Sequence, residues 1–203
     1  FCEFLLPYKS DKECPVSWRS AYSDSITPYV KSFLDTTIKT DSGLIWCKEY
    51  FMFDGEKYLI LPNDLWQAYS EFTISCHVNP AELRQYARIF DFGFDENYAV
   101  YFTPYAWEGS SMFHANLEQS YIVGTEVLAL SHFTHMALSW SHDFFHLYID
   151  GTLKKKVKAT LDMKRLICNY IGKSQFKEKL LFKGEIKDFR LYSRELNYFE
   201  IQS

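Results

Sequence analysis

Glycine and proline are thin in this chain, at 8 and 6 of 203 residues. Asn, Asp and Ser must therefore make many of its turns. No apolar run approaches the ~20 residues that a membrane-spanning helix needs. No Cys-x-x-Cys occurs, so neither a zinc knuckle nor a thioredoxin-type motif is offered. No Gly-x-Ser-x-Gly elbow marks a serine hydrolase. No Asn-x-Ser/Thr glycosylation signal is present. Positive charge is not in excess either. The formal net charge is −4, and a nucleic-acid binder would need a basic stripe to displace counterions. The one basic run, Lys154-Lys155-Lys156 with Lys158, follows an Asp-Gly turn and reads as a solvated strand edge that discourages sheet-to-sheet pairing. The chain starts at Phe1 with no charged-then-apolar leader, so a mature form or an excised fragment is expected.

What is there in excess is aromatic. Phe, Tyr and Trp make up 19% of the chain, against 47% hydrophobic and 24% charged residues. Aromatic side chains favour half-buried pleated surfaces, so the excess leans towards strands. From residue 44 onwards strands alternate with turns. Leu44–Phe53 is apolar and closes at Asp54-Gly55, and Tyr58–Leu61 follows. Phe72–Val78 alternates apolar with polar residues and stops at Asn79-Pro80. Ala87–Phe92 and Tyr98–Thr103 form a pair joined by Gly93–Asn97. Met112–Asn116, Tyr121–Val123, Phe133–Trp140, Phe144–Ile149, Leu153–Val157, Ile167–Ile171 and Glu185–Tyr192 complete the set. About a dozen short strands with turn residues between them indicate a sandwich or barrel, and no βα alternation supports a parallel sheet. Short helices are expected only around Glu82–Gln85 and Leu196–Ile201. Residues 1–43 break the pattern with Cys14-Pro15 and Thr27-Pro28. They are expected to form an N-terminal extension packed on one domain, residues 44–203.

The five cysteines are Cys2, Cys14, Cys47, Cys76 and Cys168. Cys2 and Cys14 flank a polar segment outside the strand-rich body, which suits a disulfide staple in an oxidising compartment. Cys76 falls in register with the apolar face of its strand and reads as a buried free thiol. The odd count leaves at least one thiol unpaired or bonded outside this chain.

Four stretches line up in order with a known pattern. They are Phe53-Asp54-Gly55 with Tyr58-Leu59, Phe72–Val78, Phe133–Ala137 with Leu147–Gly151, and Ile171–Ser174 with Phe182–Tyr192. Over roughly residues 50–202 the chain resembles the concanavalin A-like lectin/glucanase superfamily, in particular its laminin G-like and pentraxin-like domains. The resemblance implies an all-β antiparallel jelly-roll sandwich of two sheets, with function residing in loops.

Catalysis is weakly supported. Glycosidases of the superfamily set carboxylates at alternate positions of one strand, so that acid and nucleophile flank one sugar bond. Glu185 and Asp188 are three apart, which puts them on opposite faces of a regular strand. His132, His135, His142 and His146 are close in sequence, but strand parity and an intervening turn separate them, and no carboxylate or thiol set completes a tetrahedral site. Calcium is the cation that the resemblance implies. Hard oxygen ligands on rim loops would hold it, with Asp95 and Asn97 as metal ligands and Asn116 and Glu118 converging from a later loop. A plain polar β-turn is the competing reading. Tyr105 and Trp107 flank a Glu-Gly-Ser-Ser loop and are the candidate ligand-binding aromatics, with Trp66 and Tyr69 as a second pair. Rings that close the ends of the core are the alternative.

The expected function is a non-catalytic extracellular recognition module with a protein partner, part of a larger surface protein or complex. The alternative is a lectin-like glycan binder, and a glycoside hydrolase is more remote. A glycan site should join an aromatic platform to converging Asp or Asn side chains in one cleft. A protein site should show a contiguous apolar patch.

Overall fold

A computed structural model describes residues 2–5, 45–47, 50–61, 63–67, 69–106, 109–117, 119–176 and 180–202, with side chains from residue 51 onwards. Trp107, Glu118, Cys14 and the side chain of Cys2 therefore lie outside the described residues, and with them the Cys2–Cys14 pairing.

The strands are β1 (Cys2–Leu5), β2 (Ile45–Cys47), β3 (Tyr50–Asp54), β4 (Leu59–Leu61), β5 (Phe72–Pro80), β6 (Phe90–Asp95) and β7 (Tyr98–Thr103). They continue with β8 (Ser110–Asn116), β9 (Ser120–Glu126), β10 (Thr134–Ser141), β11 (Phe144–Ile149), β12 (Thr152–Lys158), β13 (Cys168–Ile171) and β14 (Lys183–Tyr192). Among the described residues one α-helix, α1 (Tyr198–Gln202), follows the last strand. The first sheet runs β12-β11-β10-β5-β14-β3-β2 with β1 also on β14; the second runs β4-β13-β6-β7-β8-β9. Every ladder is antiparallel. This is the two-sheet jelly-roll sandwich that the resemblance implies, and it resolves the sandwich-or-barrel choice that the strand pattern left open.

Period-2 alternation explains how each sheet acquires its apolar face. In β5 the residues Phe72, Ile74, Cys76 and Val78 are buried, and β10 brings Trp140, Leu138, Met136 and Thr134 opposite them in register. The second sheet answers with Phe90, Phe92, Val100, Phe102, Phe113 and Ala115. Trp66 joins the two. Its ring lies 4.9 Å from Phe72 and 5.1 Å from Phe92, and Nε1 donates to Asn169 Oδ1 at 2.8 Å. Cys76 is a buried free thiol, and burial pushes its pKa up.

Four local expectations need correction. Glu82–Gln85 forms no helix; Arg84 instead reaches the carbonyl oxygens of Gly55 and Leu181, at 3.2 and 3.3 Å. Leu44–Phe53 is not one strand but contributes to the paired strands β2 and β3. The N-terminal piece is not wholly outside the sheets, because β1 pairs with the end of β14. Strand parity also fails for Asp188, which stands at φ +55° on a bulge between Lys187 and Arg190. The bulge adds a residue to one strand and resets its faces. Asp188 then grips Arg190 with both oxygens at 2.8 and 2.7 Å, while Glu185 accepts from Asn79 at 2.8 Å. Both carboxylates are thus held by neighbouring side chains.

The C-terminal segment folds back over the first sheet. Leu196 and Ile201 pack on Ala137 and Tyr148. Glu195 accepts from Ser139 Oγ at 3.3 Å and from Ser141 Oγ, and lies 2.9 Å from His146 Nδ1.

Candidate functional site

Among the described residues, the outward face of the second sheet carries a groove lined by aromatic and polar side chains. Strand β13 turns its even residues, Cys168 and Tyr170, away from the core that Asn169 and Ile171 enter. Strand β6 lies beside it, with Tyr170 opposite Asp91 and Cys168 opposite Gly93. The β6–β7 turn rises on one side of this floor. The segment after β13 rises on the other, led round by Gly172 at φ +81°. Between them lies a groove of about 530 Å³. Phe94, Tyr170 and Phe176 give it aromatic faces, and Asp95, Asn97 and Lys173 give it polar ones.

Phe94 is 50% exposed. Phe90 and Phe92 enter the core, but the register shifts between Gly93 and Asp95, and Phe94 faces solvent. Tyr170 stands edge-on to Tyr58 at 6.1 Å. The ammonium of Lys173 sits 4.2 Å from the Tyr58 ring and 4.6 Å from the Tyr170 ring. Burial raises the Tyr170 phenol, with smaller contributions from Cys168, Tyr58 and Asp91.

The wall opposite Phe94 is tied to a buried ion pair. Asp91 is fully buried. Its Oδ1 accepts from Gln175 Nε2 at 2.9 Å, and its Oδ2 from the Gln175 backbone N–H at 3.1 Å and Ser174 Oγ at 3.4 Å. Arg88 Nε is 3.7 Å from Oδ2, an ion pair beyond hydrogen-bond reach. Burial pushes the Asp91 carboxyl up to about 6, against the opposing pull of Arg88 and the Gln175 and Ser174 hydrogen bonds. The Arg88 guanidinium lies 3.6 Å from the Tyr101 ring centroid. Tyr101 in turn hydrogen-bonds His114, which burial and then Arg88 push down to about 4.

The predicted site residues divide between the two ends of the sandwich. Asp95, Asn97 and Asn116 meet at one rim: Asn116 Nδ2 donates to the Glu96 carbonyl at 2.8 Å. Tyr105 is at the other, half-buried, beyond the far end of β7. The six residues of β7, rising ~3.4 Å each, separate them by about 20 Å. Trp66 is a core residue, not a surface platform, and Tyr69 packs against it. The four clustered histidines do not converge: His135 holds Ser75 Oγ at 2.8 Å, His142 is 3.7 Å from Glu71, and His146 faces Glu195.

Several oxygens of the Asp95 turn, where calcium is expected, are engaged within the protein. Asp95 Oδ1 already accepts from the backbone N–H groups of Asn97 and Tyr98, at 2.7 and 3.1 Å. The Glu96 carbonyl already accepts from Asn116. Calcium takes six to eight oxygens, and no group of three or more acidic, His or Cys side chains stands close enough to hold a metal among the described residues.

Phe94, Tyr170, Lys173, Gln175 and Phe176 are absent from the sequence expectations. Only Tyr170 carried a signal, its parity against Asn169 and Ile171. The others depend on a register shift or on a loop folding back over a distant strand.

A sequence model of the concanavalin A-like lectin/glucanases superfamily matches residues 53–202. Among curated proteins none matches the chain. Among solved structures, the fold is similar to domain 4 of AbnA, a GH43 extracellular arabinanase from Geobacillus stearothermophilus, in complex with arabinotriose. The TM-score is 0.69 at 20% identity, over 79% of this chain and 78% of that one. It is also similar to the Ruminococcus gnavus IT-sialidase CBM40 bound to α2,3-sialyllactose, at TM-score 0.64 and 13% identity, over 79% and 97% of the chains. The K499G mutant of NanB sialidase from Streptococcus pneumoniae gives TM-score 0.64 at 12% identity over 76% of this chain, which spans 27% of that protein.

Proposed function

The chain belongs to the concanavalin A-like lectin/glucanases superfamily, and from that premise we propose that it is a carbohydrate-binding module whose ligand lies in the groove between the β6–β7 turn and residues 173–176. The observation that carries this reading is one cleft joining three aromatic faces to Asp95, Asn97 and Lys173. Aromatic rings offer flat apolar faces to the C–H side of a sugar, and the polar groups around them offer partners to its hydroxyls. The relatives solved with arabinotriose and sialyllactose support the same ligand class. They favour it over the protein partner expected first. Among the described residues, the large exposed apolar side chains are spread over many elements, and Tyr198 and Phe199 on α1 are the ones adjacent in sequence.

The role proposed is binding without catalysis. Asp91 is buried, Asp95 closes its own turn, Asp188 is held by Arg190 and Glu185 by Asn79. The site of action proposed is extracellular, in line with the extracellular arabinanase domain of the same fold. Among the described residues no helix is long and apolar enough to cross a membrane.

A broad glycan array, probed with Ca²⁺ and then with chelator, tests the proposal. Selective binding that Phe94→Ala or Tyr170→Ala weakens about 3- to 10-fold supports it, that being the worth of one aromatic contact. Retention of binding under chelator would remove calcium from the reading, and loss would install it at this rim. Silence on the array in both conditions overturns the glycan reading and moves the search to protein partners.

A further inference from the structure

We propose that Asp91, with Arg88 behind it, is the positioning residue of the groove: its carboxylate holds Ser174 and Gln175, and through them Phe176, where they form the wall that faces the ligand. The inference rests on the groove being the ligand site, and its test separates the two.

A buried carboxylate is expensive, and apolar side chains of similar volume often replace buried ion pairs with no loss of stability. The sandwich does not need one here. Asp91 lies on the outward face of β6, opposite Tyr101 on one side and Tyr170 on the other, away from the core that Phe90 and Phe92 fill. Among the described residues, the hydrogen bonds it accepts come from the groove wall: the backbone and side chain of Gln175 and the hydroxyl of Ser174. Ser174 Oγ passes the contact on by accepting the Phe176 backbone N–H at 3.1 Å. The Arg88 guanidinium sits 5.9 Å from the Phe176 ring and 5.9 Å from that of Tyr86, so the cation lies under the same wall. Its Nε and Nη1 have no hydrogen-bond partner among the described residues, which leaves Asp91 and the rings as its compensation. Gly93 completes the arrangement. A Cβ there would lie 2.6 Å from Gln175 Nε2 and would also strike the Tyr98 carbonyl, so the wall closes only over a glycine.

The ionised carboxylate is the stronger acceptor and the better partner for Arg88. The groups facing it are Arg88, Tyr101 and Tyr170, with Tyr86 beside Arg88 and His114 beyond Tyr101. Uptake of a proton by Asp91 removes the charge that draws in Gln175 and Arg88. The wall then loosens, and binding weakens below a pH of about 6.

The experiment uses the ¹⁵N-labelled whole chain. In the wild type, the Gln175 backbone amide shift should titrate with a midpoint near 6. In Asp91→Asn that titration should vanish. Amide exchange at residues 174–176 should rise about tenfold or more relative to that of the core strands, matching the loss of one or two charge-assisted hydrogen bonds, and Tm should fall as well, because Arg88 is left as an unpaired buried charge. Affinity for the best array glycan should fall by a similar factor. Gln175→Ala, which leaves the buried pair intact, should loosen the Ser174 and Phe176 amides and serves if Asp91→Asn does not fold. Unchanged exchange at residues 174–176 in these variants, or a Gln175 amide that ignores pH, overturns the positioning role. If exchange and titration respond as stated but no glycan binds, the positioning role stands and the carbohydrate reading falls.

Discussion

At the scale of single residues, Trp66 and Phe94 show how little residue type reveals about role. Both are large aromatics near turn residues. Trp66 is 1% exposed and bridges the sheets; Phe94 is half in solvent. Trp66→Ala should therefore destabilise the fold by about 3–5 kcal/mol, the range for deleting a buried large aromatic. Trp66→Phe, which mainly removes the Nε1 donor to Asn169, should lose less, about 1–2 kcal/mol. Urea unfolding followed by fluorescence measures the first, and circular dichroism both. Phe94→Ala should leave stability within about 0.5 kcal/mol, as surface changes do, and act on ligand affinity alone. A large loss of stability in Phe94→Ala would show that the ring is core.

At the scale of elements, the irregular steps decide what the strands present. The shift between Gly93 and Asp95 turns Phe94 outward, and the bulge after Lys187 returns Phe189 and Leu191 to the core. The C-terminal segment has its own anchor. Glu195 meets Ser139, Ser141 and His146, while Arg194 pairs with Glu200 at 2.6 and 2.9 Å to hold the start of α1. Glu195→Ala should weaken the protein by about 1–3 kcal/mol, the cost of leaving buried partners without their acceptor. Amides of α1 should exchange faster, while those of β10 remain protected. Equal loosening of both would mean that the segment is part of the sheet's cooperative core and not a separate latch.

At the scale of the whole molecule, pH acts through half-buried imidazoles on two sheets. Burial, and then His77, push His135 down to about 4. His114 is also pushed down to about 4, and burial lowers His77 and His146. The unfolded chain takes protons on these groups from about pH 6.5, before the folded one does. Stability is therefore lost as pH falls from about 6.5 towards 4. Asp91 acts in the opposite sense. Its folded value of about 6 exceeds the unfolded one, so alone it favours the folded state as pH falls through that window. Two histidines of comparable shift outweigh one carboxylate. The urea midpoint should drop between pH 6.5 and 4, and His135→Asn should flatten the drop. A midpoint constant over that range would show that the histidines are as solvated in the folded chain as in the unfolded one.

The sequence by itself determined the all-β class, the strands and their apolar faces, and the family. Those depend on period-2 alternation and turn residues, which are local and survive in one dimension. Cys76 in the core and the meeting of Asn116 with the Asp95 turn were legible for the same reason: parity and hairpin connection put them there. Only the tertiary structure decided the groove. Its floor comes from β13, one wall from a register shift, and the other from residues 173–176 folding back some eighty residues in sequence onto Asp91. It also separated Tyr105 from Asp95, because residues close in sequence sit at opposite ends of an extended strand. Sheet order and bulges set which loops share a rim, and neither leaves a mark in local residue pattern.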